Sequence, residues 1–128
     1  MRGTTENEIA TIVVDKCLLI HRKWGPGLFE SVYEEVLAYE LEKSGLRVEK
    51  QKIIEVVYDD IKMDKGFKAD IIVENKVILE LKAVEHILPV HQKQLLTYLK
   101  LTEMKLGLLI NFNVALIKNG IQRIVNNL

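Results

Sequence analysis

Apolar positions along the first third of the chain recur every three or four residues. Ile9, Ile12, Val13, Lys16/Cys17 and Ile20 fall on one stripe of an expected helix. Thr5 with Glu8 three residues later is a capping-box signature and sets its start. Trp24-Gly25-Pro26-Gly27 should stop it, because glycine and proline do not continue a helical pattern. A second helix is expected from about Phe29 to Ser44. Its apolar face is Phe29, Val32, Tyr33, Val36, Leu37 and Leu41, with Gly45 as a left-handed C-terminal cap.

After Gly45 the period changes. Val48 to Tyr58 carries Ile53, Ile54, Val56 and Val57, a β-branched run that reads as one strand. Gly66 precedes a second run, Phe67 to Val73. The short polar link Glu74-Asn75-Lys76 leads to a third, Val77 to Val84, so an antiparallel meander is expected. Pro89 opens a helix over about Val90 to Thr102, followed by a buried strand at Leu106 to Phe112. Val114–Ile117, Lys118-Asn119-Gly120 and Ile121–Val125 predict a closing hairpin, because Asn-Gly suits a type I′ turn. The predicted order is α-α-β-β-β-α-β plus a C-terminal hairpin, an α/β domain spanning residues 1–128 with no internal repeat.

Strand phase points to the chemistry. Alternation puts Phe67, Ala69, Ile71 and Val73 on one face, and Lys68 and Asp70 on the other. In the next strand Val77, Leu79, Leu81 and Ala83 form an apolar face, which leaves Glu80 and Lys82 together on the opposite one. Pairing through the short link would set Asp70 beside Glu80. Two close carboxylates repel unless a cation or a proton lies between them. Mg²⁺ with oxygen ligands is a common solution, and Lys82 could then orient water or stabilise charge on a phosphate. The same alternation also fits a charged solvent face with one Glu–Lys cross-strand pair. Against that, the strands from Ile71 to Ala83 are otherwise so apolar that central places are expected for them.

Charge then restricts the partners. Eighteen Lys and Arg balance 18 Asp and Glu, so the formal net charge is zero. General attraction to nucleic acid or to anionic membranes is therefore absent, and a nucleic-acid function must rest on a local site. The lone Cys17 excludes an internal disulfide and a thiolate zinc site. His86 and His91 are five apart across Pro89, not at the spacing of a helical metal pair. No apolar run approaches the ~20 residues of a membrane span, and the first residues lack a secretory pattern, so a cytoplasmic protein is expected.

Three motifs together bear a resemblance. Asp70 followed by Glu80-Leu81-Lys82 is similar to the Asp…(Asp/Glu)-x-Lys signature of the PD-(D/E)XK nuclease superfamily, with Ala69 where that signature has proline. Gly27-Leu28-Phe29-Glu30-Ser31-Val32-Tyr33 resembles the motif of the GxxExxY protein family within it. Gln94-Leu95-Leu96-Thr97-Tyr98 resembles the Q-x-x-x-Y motif on the helix after the catalytic strand. The resemblance implies a restriction-endonuclease-like core, with a central mixed β-sheet flanked by helices. It also implies a Mg²⁺- or Mn²⁺-dependent phosphodiesterase acting on DNA or RNA. Asp70, Glu80 and Glu30 would hold metal, Lys82 would be the catalytic lysine, and Gln94 and Tyr98 would support the site. Tyr33, inside the apolar stripe of its helix, reads as core. A homodimer is a plausible way for so small a nuclease to span a duplex, with the final hairpin and first helix as candidate surfaces. The competing reading is a non-enzymatic binding or assembly module that keeps the fold.

Overall fold

In a computed structural model that describes residues 3–128, Thr5 and Glu8 form the expected reciprocal cap. Thr5 Oγ1 accepts the Glu8 N–H at 3.2 Å, and Glu8 Oε1 accepts the Thr5 N–H at 3.0 Å. Helix α1 (Glu6–Trp24) buries Ile9, Ala10, Val13, Cys17 and Ile20, and burial pushes the Cys17 thiol pKa up. Gly25 ends the helix at φ 67° and ψ −157°, a region open to glycine and hardly any other residue.

Tyr33 fixes the corner that follows. Its hydroxyl donates to Gly25 O at 2.5 Å and accepts the Leu28 N–H at 3.1 Å, while its ring stacks on Phe112 with centroids 4.1 Å apart. That anchor sets the rotation of α2 (Glu30–Lys43), which buries Tyr33, Leu37, Ala38 and Leu41. Two residues expected on the apolar face lie outside it. Phe29 is the extended N-cap and is 81% exposed. Val32, about 100° behind Tyr33 on the helix, is also exposed. Gly45, at φ 91°, is the left-handed residue that follows the helix.

Five strands form the sheet in the order β1-β4-β5-β6-β7. β1 (Val48–Ile54), β4 (Phe67–Val73) and β5 (Val77–Lys82) make the predicted antiparallel meander. α3 (Pro89–Thr102) then crosses over to β6 (Leu106–Asn111), which runs parallel to β5 and is buried along its whole length. β7 (Ile121–Val125) returns antiparallel to β6. Helices α1 and α2 cover one face over the larger core, while Leu95 and Leu99 of α3 cover Ala69, Ile72, Ile78 and Leu109 on the other. The architecture is a mixed α/β fold with a central, mostly antiparallel sheet flanked by helices.

Two predicted strands are corrected. The run from Val48 to Tyr58 is not continuous: β1 stops at Ile54, and β2 (Val57–Tyr58) pairs with β3 (Ile61–Lys62) in a separate hairpin. Gly66 crosses Ile54 so closely that a Cβ there would lie 2.3 Å from Ile54 O, so the returning chain caps β1. The closing hairpin is also differently built. Residues 114–116 are not a strand, and Ile117–Gly120 forms a 3₁₀ turn between β6 and β7. Gly120 is required by contact, because a Cβ would sit 2.1 Å from Asn111 O. Asn119-Gly120 thus has the composition of a hairpin turn but serves close packing.

Tyr33→Phe keeps the stack and removes the latch. It should cost about 1–3 kcal/mol in urea unfolding, because Gly25 O and the Leu28 N–H lose their shared partner.

Candidate active site

The β4–β5 register runs Val73↔Val77, Ile72↔Ile78 and Ile71↔Leu79 around a tight link at Glu74 and Asn75, both with positive φ. One step further along, Asp70 and Glu80 face each other, but there the ladder stops. Asp70 Oδ2 instead accepts the Leu81 N–H at 2.9 Å, so a side chain replaces a backbone carbonyl. Beyond β5 the chain is held to β6 by Asn111. Its Oδ1 accepts the Val84 N–H at 3.1 Å and its Nδ2 donates to Val84 O at 2.9 Å. Asn111 is only 3% exposed, and its one advance sign is a polar residue ending the apolar run from Leu106.

The pairing with β1 is interrupted at the same place. Lys50 pairs with Ile71 and Lys52 with Ala69, while Gln51, across from Asp70, is outside the ladder at φ 51°. A left-handed backbone at a non-glycine residue costs roughly 1–2 kcal/mol. The interruption corrects the strand phase read from alternation. Ile71 and Val73 belong to the larger core as expected, but Ala69 joins the smaller core and Phe67 stacks on Tyr98 of α3, with centroids 3.5 Å apart. Phase changes across Asp70, and its carboxylate is thereby placed where influences from α2 and α3 meet.

Electrostatics define the rest of the site. Burial, the charge of Asp70 and a carboxyl–carboxyl hydrogen bond to Asp70 push the Glu80 pKa up to about 9, with Lys82 opposing. At neutral pH Glu80 therefore keeps its proton. Glu80 Oε1 is buried and has no hydrogen-bond partner among the described residues. Burial raises the Tyr98 pKa as well, followed by the charges of Glu80 and Asp70, while a hydrogen bond with Gln94 opposes the rise. Asp70, Glu80, Lys82, Tyr98 and Gln94 thus form one connected group.

Glu30 is placed differently. It lies exposed in the first turn of α2, and the α2 carboxyl that feels Asp70 is Glu34, one turn on. Burial raises the Glu34 pKa, a hydrogen bond from Gln51 opposes this, and the charge of Asp70 adds to it. Glu34 follows Tyr33 directly, and helical spacing from Glu30 was the only hint of it. Two of the three histidines serve the scaffold: His91 Nδ1 accepts the Leu88 N–H at 3.0 Å, and His21 Nε2 lies 2.8 Å from Val114 O.

This arrangement, with two carboxyls and a lysine on paired central strands, has a counterpart among known families. The family model of the PD-(D/E)XK nuclease superfamily matches residues 7–124. The chain belongs to this superfamily. No curated protein and no solved structure gives a significant match. Divalent metals are general in PD-(D/E)XK nucleases, and the donors here are carboxylate oxygens, which suit a hard cation such as Mg²⁺. The orphaned Glu80 Oε1 is the kind of atom a cation would satisfy. Among the described residues no three His, Cys, Asp or Glu side chains stand ready as a ligand cluster. Two carboxyls would make up only part of a shell for Mg²⁺, which usually keeps several waters. Among the same residues, no helix is long and apolar enough to cross a membrane.

The raised Glu80 pKa has a defined consequence for the metal-free chain. The folded state holds a proton that the unfolded state releases, so stability falls as pH rises from the ordinary carboxyl range toward 9. Glu80→Gln should therefore melt above wild type at pH 8.5 in chelator and close to it at pH 4.5, as measured by thermal unfolding.

Proposed function

We propose that the chain is a Mg²⁺- or Mn²⁺-dependent nuclease that hydrolyses phosphodiester bonds of DNA or RNA, and that it falls within the GxxExxY group of its superfamily. The observation that carries this reading is the meeting of Asp70 and Glu80 on paired central strands, with a buried, unpartnered Glu80 oxygen and Lys82 two residues on. Gly27, Glu30 and Tyr33 support the finer grouping, since Tyr33 latches the turn that contains the motif glycine.

Asp70 and Glu80 would hold the cation, which when bound would supply Lewis acidity for activating water and polarising the phosphate. Glu80 would release its proton on loading, as carboxylate ligands must. Asp70 keeps its orientation through the Leu81 N–H, which fixes one of its two oxygens. Lys82 provides a positive charge two residues beyond Glu80, where it can orient water and stabilise charge developing on the phosphate. Gln94 and Tyr98 hold the α3 wall of the site, and Glu34 is the α2 carboxylate nearest in effect to Asp70.

Cleavage of a mixed panel of single- and double-stranded DNA and RNA with Mg²⁺ or Mn²⁺ tests the reading. Asp70→Ala and Lys82→Ala should each lower the rate by at least ~100-fold. Activity that survives both substitutions ends this mechanism. Folded protein that binds no millimolar Mg²⁺ or Mn²⁺ in calorimetry would instead support a non-enzymatic module. A second comparison concerns α2: Glu34→Gln should weaken Mn²⁺ binding by ~10-fold or more, with Glu30→Gln having the smaller effect.

A further inference from the structure

Consecutive residues of a β-strand normally point to opposite faces of the sheet. Lys50 and Gln51 of β1 do not. Lys50 Nζ meets Glu35 Oε1 at 3.0 Å, and Gln51 Nε2 donates to Glu34 Oε1 at 2.8 Å, so both reach helix α2. The left-handed backbone at Gln51 makes this possible by resetting the alternation at that residue. Gln51 is also the β1 residue across from Asp70, where the ladder on either side of it is intact.

Strain of this kind persists where the surroundings hold it in place, and such positions concentrate at working sites. Backbone freedom alone would favour glycine here, so a side-chain role explains why glutamine occupies the position. A neutral amide also suits the task, since it orients a carboxylate without cancelling its charge, whereas a lysine would compete with a cation.

We infer that Gln51 is a positioning residue, whose left-handed backbone aims its amide at Glu34 and holds that carboxylate toward Asp70 for a divalent cation. The inference rests on the metal site proposed above. It goes beyond that proposal in assigning a role to a residue outside all three sequence motifs.

The test uses the full chain, with Mn²⁺ affinity from calorimetry and urea stability measured without metal. Gln51→Gly accepts the backbone conformation and removes only the amide. It should be at least as stable as wild type without metal, yet bind Mn²⁺ ~10-fold more weakly. Joined to Glu34→Gln, it should add no further loss of affinity beyond Glu34→Gln alone. Unchanged Mn²⁺ affinity in Gln51→Gly, additive losses in the double variant, or a wild-type chain that binds no Mn²⁺ each overturn the inference. A wild type that binds Mn²⁺, shows these variant effects and cleaves no nucleic acid supports the inference and removes the nuclease reading.

Discussion

Two carboxyl groups forced into one small, half-buried space are the constraint around which this molecule is arranged. The short link between β4 and β5 fixes their register, and the register leaves Asp70 and Glu80 no choice but to meet. Burial and the charge of Asp70 hold the proton on Glu80. The antiparallel ladders on either side of Asp70 yield at that pair, while the parallel β5–β6 ladder runs on through Glu80. The β4–β5 ladder gives up a backbone bond in favour of Asp70 and Leu81, and the β1–β4 ladder skips Gln51. The antiparallel ladders thus lose regularity where the two carboxyls meet.

The scaffold keeps this irregular centre in place from both sides. Asn111 holds the segment after β5 against β6, and Phe112 reaches back to Lys82 O at 3.0 Å. On the α2 side Tyr33 ties the helix to the Gly25 corner, so this tyrosine does its work through the fold. Two neighbouring residues thus do two jobs on this helix. Its tyrosine sets the rotation of α2, and the residue after that tyrosine, Glu34, is the one this rotation brings into electrostatic reach of Asp70.

The meeting of Asp70, Glu80 and Lys82 was legible in the sequence because period-two alternation and a three-residue link leave few ways to pair the strands. The helix boundaries at Thr5, Gly25 and Pro89 were legible for a similar reason, since caps and breakers act locally. Gln51, Glu34 and Asn111 were not. Their roles depend on a left-handed backbone or on an element distant in the chain, and neither leaves a periodic trace. Gly66 and Gly120 show the same limit from another direction. Each is glycine because another backbone passes within a bond's reach, and at Gly120 that need imitates a turn signal. Phe29 and Val32 fit an apolar stripe by spacing, but the hydroxyl of Tyr33 decides which stripe faces inward.

The left-handed backbone at Gln51 also matters at the edge of the sheet. β1 is an outer strand of the sheet, and a straight outer strand offers its free N–H and C=O groups as a template for another chain. Here the left-handed residue breaks that row in the middle. Charged side chains flank the break, Glu49 bound to Lys52 at 2.7 Å and Lys50 bound to Glu35 at 3.0 Å. The same break thus also guards the rim of the sheet, and straightening β1 would expose this small domain of zero net charge to edge-to-edge aggregation.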